Sequence, residues 1–297
     1  MSATLSLLRL PHWLKNLFLF APLIFSKHLF EEGYFWTAAQ GFLVFSLLSS
    51  AVYVVNDIAD READRLHPVK KNRPIASGRI STLQGAGLAV VLLLLTGILA
   101  SPLNTKFLAT ASLYFLLNLA YSYGLKRVIL VDVFIIASGF MLRVLGGAFV
   151  IDVQVSHWLV LCTLFISLFL AVSKRRGEML LVRNTEGYEG RAVLREYDLG
   201  VIDQMMTITA AGMAISYALY TVAERTVTVF GTENLIFTTV FVLFGIFRYL
   251  YLVQVKRTDD NPTHVLMTDG PMILNVAGWF VTCVVIIYFQ ELKTLLH

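Results

Sequence analysis

Apolar runs long enough to cross a lipid bilayer recur along almost the whole chain, and this feature constrains the fold more than any other. A spanning helix needs about 20 largely apolar residues. Nine candidates stand near Leu14–Ser26, Ala38–Asp57, Gly85–Ala100, Phe107–Tyr123, Ile129–Ile151, Trp158–Ser173, Met205–Thr221, Leu235–Val255 and Met272–Phe289. The first is the shortest and is interrupted by Pro22. Helices are the only plausible spanning element, because the runs are too long and too uniformly apolar for barrel strands. The expected fold is all-α: a polytopic membrane bundle of nine transmembrane helices, forming one integral membrane domain over residues 1–297.

Charge is scarce and unevenly placed. Charged residues make up 15% of the 297, against about 25% in an average soluble protein. The net charge of +4 therefore describes the loops. The loops after the second, fourth, sixth and eighth runs carry Arg61, Arg65, Lys70, Lys71, Arg73 and Arg79, then Lys126 and Arg127, then Lys174, Arg175, Arg176, Arg183, Arg191 and Arg195, then Lys256 and Arg257. The opposite side holds Lys27, Lys106, Arg225 and Lys293. By the positive-inside rule the N-terminus and the basic loops face the cytoplasm, and the C-terminus faces out. Basic residues at helix ends argue against nucleic acid as a partner. Arg9 and Lys15 precede an apolar stretch with no small-residue cleavage site after it, so a retained first helix is expected rather than a signal peptide.

The remaining simple signals are negative. Cys162 and Cys283 lie inside apolar runs with no CxxC or Cys/His neighbour, which argues against zinc and against a disulfide. The histidines are scattered, and there is no Rossmann GxGxxG or Walker motif.

The outer connections are short, whereas Ile58–Leu83 and Lys174–Gln204 are long and polar. Long loops in compact domains are usually functional, so an active-site cavity on the cytoplasmic face is expected. The first of these loops opens with Asn56-Asp57-Ile58-Ala59-Asp60-Arg61-Glu62-Ala63-Asp64. Asp57, Asp60 and Asp64 are three and four residues apart, which puts them on one narrow helical stripe. Like charges at that spacing repel; a divalent cation removes the penalty. Hard oxygen donors suit Mg²⁺, which keeps waters and shares a substrate phosphate; Mn²⁺ is able to substitute. The plain alternative is a solvated helix end with Arg61 and Arg65 in surface pairs. Against it stands the next segment, His67-Pro68-Val69-Lys70-Lys71-Asn72-Arg73-Pro74-Ile75-Ala76-Ser77-Gly78. Its prolines and glycine allow the loop to fold back and bring Lys70 and Arg73 to phosphate oxygens that the metal also holds.

The strings NDIADREAD and HPVKKNRPIASG resemble the first aspartate-rich motif of the UbiA prenyltransferase superfamily, NDxxDxxxD followed by RPixsG. The resemblance extends over most of the chain and implies a UbiA-type bundle. Members that act on aromatic acceptors carry a second aspartate-rich motif after the sixth helix. Here that position reads Ser173-Lys174-Arg175-Arg176-Gly177-Glu178, with Asp198 and Asp203 further on in a different context. Fewer carboxylates imply fewer metal ions, and more cations imply more phosphate to neutralise.

Four further segments, Pro11-His12-Trp13-Leu14-Lys15-Asn16, Tyr121-Ser122-Tyr123-Gly124-Leu125-Lys126, SKRRGE and Phe247-Arg248-Tyr249-Leu250-Tyr251, are similar to the decaprenyl-phosphate phosphoribosyltransferase branch of that superfamily. This resemblance implies transfer of 5-phosphoribose from 5-phosphoribosyl 1-diphosphate to a polyprenyl phosphate of decaprenyl type, toward arabinan precursors of the cell wall. It implies Asp57, Asp60 and Asp64 as metal ligands and catalytic residues. The candidate substrate-binding residues are Lys15, Asn16, Asn56, Lys70, Arg73, Tyr121, Lys126, Arg143, Lys174, Arg175, Arg176 and Glu178. Arg143 and Arg248 are intramembrane ionisable residues and candidates on that ground alone; Asp132, eleven residues before Arg143, is its candidate structural partner.

Two rivals differ in class. A prenyltransferase using a prenyl diphosphate would normally need the missing second acidic motif. A transporter would carry ionisable residues near the midplane of several helices, whereas charge here gathers at one face. Bundles of this kind often associate, so a homo-oligomer is compatible with the sequence.

Overall fold

The computed structural model describes residues 3–184, 192–255 and 268–289. Arg191, Lys256, Arg257 and Lys293 lie outside the described residues. Every regular element among the described residues is helical. The eight long helices are α1 Tyr34–Ala59, α2 Thr82–Ala100, α3 Thr105–Tyr123, α4 Val131–Val150, α5 His157–Asn184, α6 Leu199–Val222, α7 Thr239–Gln254 and α8 Gly270–Ile287. Seven helical segments are long and apolar enough to cross a membrane: α1, α2, α4, α6 and α8, together with His157–Arg183 and Asn234–Gln254. The chain is a multi-pass membrane protein.

The nine expected spans thus meet seven helices of this kind among the described residues, and the other two differ for physical reasons. α3 is full length, but Lys106, Asn118, Tyr114, Tyr121 and Tyr123 dilute its apolarity. The first expected span is an eleven-residue 3-10 helix, Leu10–Phe20, followed by a short α-helix, Ala21–Phe25. Pro22 lacks the N–H that a continuous α-helix would bond to the Phe18 carbonyl. The Ala21 N–H bonds the Phe18 carbonyl, three residues back, the 3-10 pattern. At a rise of about 2.0 Å per residue the 3-10 segment covers about 22 Å, longer than the same residues would reach as α-helix.

Two compact units contain these elements, one made of residues 3–155 and 192–196, the other of the remaining described residues. In the first, the 3-10 segment packs on α1 and α4, α1 packs on α2 and α3, and α3 packs on α4. Its core joins Leu19, Leu23, Phe45, Leu48, Phe107, Tyr114 and Leu142. The Phe45 ring meets Phe107 edge-on at 5.6 Å and Tyr114 at 5.4 Å, an arrangement that adds to plain burial. Gly41, Gly146 and Gly147 are the positions where neighbouring groups press closest on this layer. In the second unit, α5 packs on α6 and α7 on α8. The faces turned away from both cores are strongly apolar, including Val90, Leu94 and Ile98 of α2 and Leu274, Val281 and Val285 of α8, as contact with lipid tails requires.

Helix starts follow the sequence closely. Ser81 caps α2 by accepting from the Gln84 N–H at 3.2 Å, and the Gln84 side chain accepts from the Ser81 N–H at 3.0 Å. This reciprocal capping box satisfies two of the orphan donors of a helix start. Ser81→Ala should cost about 1 kcal/mol, readable as a lower unfolding temperature in detergent with substrate affinities unchanged. Asn104 caps α3, Asp198 caps α6 and Asp269 caps α8, each side chain accepting from a backbone N–H of the first turn.

Candidate active site

The first unit carries a dense cluster of ionised groups at the end of α1. Asp57 lies in the last turn of α1 and is 2% exposed. The helix stops at Ala59, Asp60 serves as a hinge residue, and a short helix, Arg61–Leu66, carries Asp64. The backbone bonds Asp60 N–H to Asn56 O and Asp64 N–H to Asp60 O continue the helical spacing across this joint at 2.9 and 2.8 Å. The helical spacing from Asn56 to Asp64 is thereby carried across the joint.

The following loop folds back. The His67 ring accepts from the N–H groups of Val69 and Lys70 at 3.1 and 3.2 Å, and Gly78 supplies a turn at φ +77°. Ile75, 1% exposed, sits against the start of α2, where Gly85 leaves room for it. Burying such a side chain is worth about 2 kcal/mol, enough to fix the loop. Arg65 donates through Nε to the Ala76 carbonyl at 3.1 Å. Arg73 is thereby brought over the carboxylates.

Each carboxylate then meets a cation from another segment. Arg73 Nη1 donates to Asp57 Oδ1 at 3.1 Å and to Asp64 Oδ2 at 2.6 Å. Arg9 Nη2 donates to Asp57 Oδ1 at 2.5 Å. Lys126, from the 3-10 turn after α3, donates to Asp60 Oδ1. Asn56 donates to Asp60 Oδ2 at 3.2 Å and accepts from Ser122 Oγ at 3.1 Å. The repulsion among three like charges is thus offset by three cations. Burial lowers the Arg9 guanidinium below its ordinary range, an effect that the Asp57 charge opposes. Outside the cluster, Glu62 is exposed; its hydrogen bond from Arg61, with help from Arg65, holds its carboxyl below the usual range. The surface pairing expected of Arg61 and Arg65 is confined to Glu62.

Among the described residues no three metal-ligating side chains converge as a preformed cage. The donor set nonetheless fits Mg²⁺, which is commonly held by one or two carboxylates and completed by substrate phosphates. Asp57, Asp60 and Asp64 offer hard oxygens, and Asn56 adds an amide.

Of the residues singled out in the sequence, Asn56, Asp57, Asp60, Asp64, Arg73 and Lys126 come together. Lys70 stands in the 3-10 turn Lys70–Asn72 of the same loop, and Tyr121 in the last turn of α3, beside Ser122. Lys15, Asn16 and Arg143 belong to a separate polar group of the same unit. The pairing of Arg143 with Asp132 does not occur: Arg143 bonds Asn16, the Gly139 carbonyl and Tyr114. Eleven residues of helix separate the two by about 16 Å, beyond the reach of a direct pair. In the second unit Arg175 is fully buried and bonds Glu178. Arg176 donates to Asp203 at 2.7 Å and to the Val253 carbonyl at 3.0 Å; Lys174 is partly buried beside them. Arg248 makes a two-pronged bond with Asp269 at 3.0 and 2.8 Å. Arg9, Ser122 and Tyr114 are members of these networks that the sequence reading did not select. The only signal for Arg9 was a cation placed just before Pro11.

Comparison with known proteins agrees with this architecture. The sequence profile of the UbiA prenyltransferase family matches residues 17–275. A Mycolicibacterium smegmatis protein named decaprenyl-phosphate phosphoribosyltransferase is 30% identical, over 97% of this chain and 93% of its own. A Mycobacterium tuberculosis protein of the same name is 31% identical, over 82% of this chain and 79% of its own. The structure of a UbiA homolog from Archaeoglobus fulgidus bound to DMAPP and Mg²⁺ superposes with a TM-score of 0.74, over 96% of this chain and 99% of that one, at 18% identity. A carboxylate cluster at the end of a membrane helix, a fold shared with that homolog and a profile match over most of the chain lead to one conclusion: this chain belongs to the UbiA prenyltransferase family.

Proposed function

We propose that the chain transfers 5-phosphoribose from 5-phosphoribosyl 1-diphosphate to a polyprenyl phosphate, releasing diphosphate, at the cytoplasmic face of a bacterial inner membrane. The observation that carries this reading is similarity, at 30% and 31% identity over 97% and 82% of the chain, to two proteins named decaprenyl-phosphate phosphoribosyltransferase. It is supported by a basic run, Lys174–Arg176, where the aromatic-acceptor branch has its second acidic motif. The product would serve as an arabinan precursor for the cell wall.

In this reading Asp57, Asp60 and Asp64 hold Mg²⁺ or Mn²⁺. The ion, when bound, stabilises negative charge on the leaving diphosphate. Arg9, Arg73 and Lys126 bond these carboxylates. With the carboxylates turned to a metal, these cations would be available to phosphate oxygens, where charge-assisted and forked bonds are strongest. Asn56, held by Ser122, orients one ligand of the cluster. The bond from C1 of the ribose to the diphosphate oxygen breaks, and a bond from an acceptor phosphate oxygen to C1 forms. The acceptor is already an anion at neutral pH, so no side chain need remove a proton from it.

The test uses purified protein, polyprenyl phosphate and radiolabelled 5-phosphoribosyl diphosphate, with Mg²⁺ or with EDTA. Label is expected in the lipid extract with Mg²⁺ and at background with EDTA. The binding of DMAPP by the A. fulgidus homolog motivates a parallel arm with a prenyl diphosphate and an aromatic acceptor. Activity in that arm alone would assign the chain to prenyl transfer.

A further inference from the structure

The cations at the end of α1 are spent on carboxylates. A second pair of cations in the same unit is not. Arg143, in the middle of α4, is 5% exposed. Its Nε donates to Asn16 Oδ1 at 2.6 Å, its Nη1 to the Gly139 carbonyl at 2.7 Å and its Nη2 to Tyr114 Oη at 2.9 Å. It also lies over the Tyr114 ring at 4.8 Å. All of these partners are neutral. They use three of the five N–H donors of a guanidinium and leave its charge uncompensated. Lys15, next to Asn16 in the chain, is partly buried. Among the described residues its side chain has no hydrogen bond and no ion pair, and the charges acting on it most are those of Arg143 and Arg9, both of its own sign. Asn16 is fixed from the other side, donating to Ser46 Oγ at 3.0 Å and Ser49 Oγ at 3.3 Å.

Two cations without an acidic partner, inside a membrane bundle, are costly. Repulsion between them adds to the cost. The fold nevertheless holds Arg143 in place with three hydrogen bonds. An anion would remove both penalties. Ser49 lies eight residues before Asp57 on α1, a separation of about 12 Å along the helix. That is too far for a single diphosphate group at the carboxylates to reach Asn16 and Arg143 as well.

We propose that Lys15 and Arg143, with Asn16 as the positioning residue between them, form a subsite for a phosphate monoester, distinct from the diphosphate site at Asp57, Asp60 and Asp64. The inference rests on the proposed function and deepens it. Both substrates of that reaction carry such a group: the 5-phosphate of the donor and the phosphate of the lipid acceptor.

The experiment measures thermal unfolding of the purified full chain in detergent, for wild type and Lys15→Met. Ribose 5-phosphate and farnesyl phosphate are the probes, with Mg²⁺-diphosphate as control. Without ligand, Lys15→Met should unfold at the wild-type temperature or above it, because an uncompensated charge is removed; a structural lysine would instead lower it. One monoester should stabilise wild type, with about tenfold weaker apparent affinity in Lys15→Met and recovery in Lys15→Arg. The control response should not change. Ribose 5-phosphate as the discriminating probe assigns the subsite to the donor, and farnesyl phosphate assigns it to the acceptor. If neither probe distinguishes the two proteins, the subsite is overturned. Wild-type phosphoribosyl transfer, measured separately, then shows whether the proposed function stands without it.

Discussion

Asp57→Asn is expected to reduce turnover on the order of 1,000-fold, the scale seen when a preorganised electrostatic contact to a leaving group is lost. Asparagine keeps the shape of the side chain and removes its charge, so the loss reports on the carboxylate. Alanine is the poorer probe. Asp57 is buried and holds both Arg9 and Arg73, and stripping a buried pair of one partner costs about 3–5 kcal/mol. The asparagine variant makes a second expectation that separates charge from folding. Arg9 and Arg73 lose their shared anion and gain freedom to meet another, so inorganic diphosphate without metal should bind at least as well as to wild type. Turnover should fall while metal-free diphosphate binding is kept or improved. Near-normal turnover in Asp57→Asn, measured with lipid-extractable label, would remove the metal-ligand assignment of this residue.

The parts of this site that were readable in the sequence are those set by short-range geometry. Asp57, Asp60 and Asp64 share a stripe because three- and four-residue spacing matches a helical turn, and the structure keeps that spacing across the break at Asp60. Arg73 was readable because Pro74 and Gly78 close a loop only a few residues long. Arg9 was not: it meets Asp57 from 48 residues away, its own backbone is left-handed at φ 51°, and it stands just before a 3-10 segment whose prolines read simply as a broken helix. Arg143 was readable as a charge out of place, but its partners were not. Asn16 and Tyr114 reach it from other segments, and only packing brings them there. The apolar runs gave the helical architecture directly. They did not separate α3, whose tyrosines and Lys106 line a helix of full length and lower hydropathy. Nor could spacing reveal that Arg176 has Asp203 and the Val253 carbonyl as partners, because the contact depends on how α5, α6 and α7 pack.

Gly147→Ala should be the most damaging single-methyl change in the first unit, with a loss of about 3 kcal/mol or more, at the upper end for overpacked cores. A Cβ at this position would lie 2.0 Å from the Leu19 carbonyl oxygen and 2.8 Å from the Leu19 carbonyl carbon. Those atoms are backbone, so no rotamer change relieves the clash; the 3-10 segment Leu10–Phe20 has to lift away from α4. Asn16 rides on that same segment, three residues before Leu19, and its bonds to Arg143, Ser46 and Ser49 would be pulled with it. The neighbouring position supplies the control. A Cβ at Gly146 would press on the Phe45 ring, at 2.9 and 3.1 Å, and touch Thr110 Cγ2 at an ordinary 3.7 Å; both are side chains, and a ring can tilt. Gly146→Ala should therefore cost about 1 kcal/mol. Thermal unfolding of both variants in one detergent decides the point. A large drop for Gly147→Ala beside a small one for Gly146→Ala would show that contact between the 3-10 backbone and α4 holds the first unit together. Equal drops would mean that the segment can shift at little cost, and Asn16 would then no longer be a fixed support for Arg143.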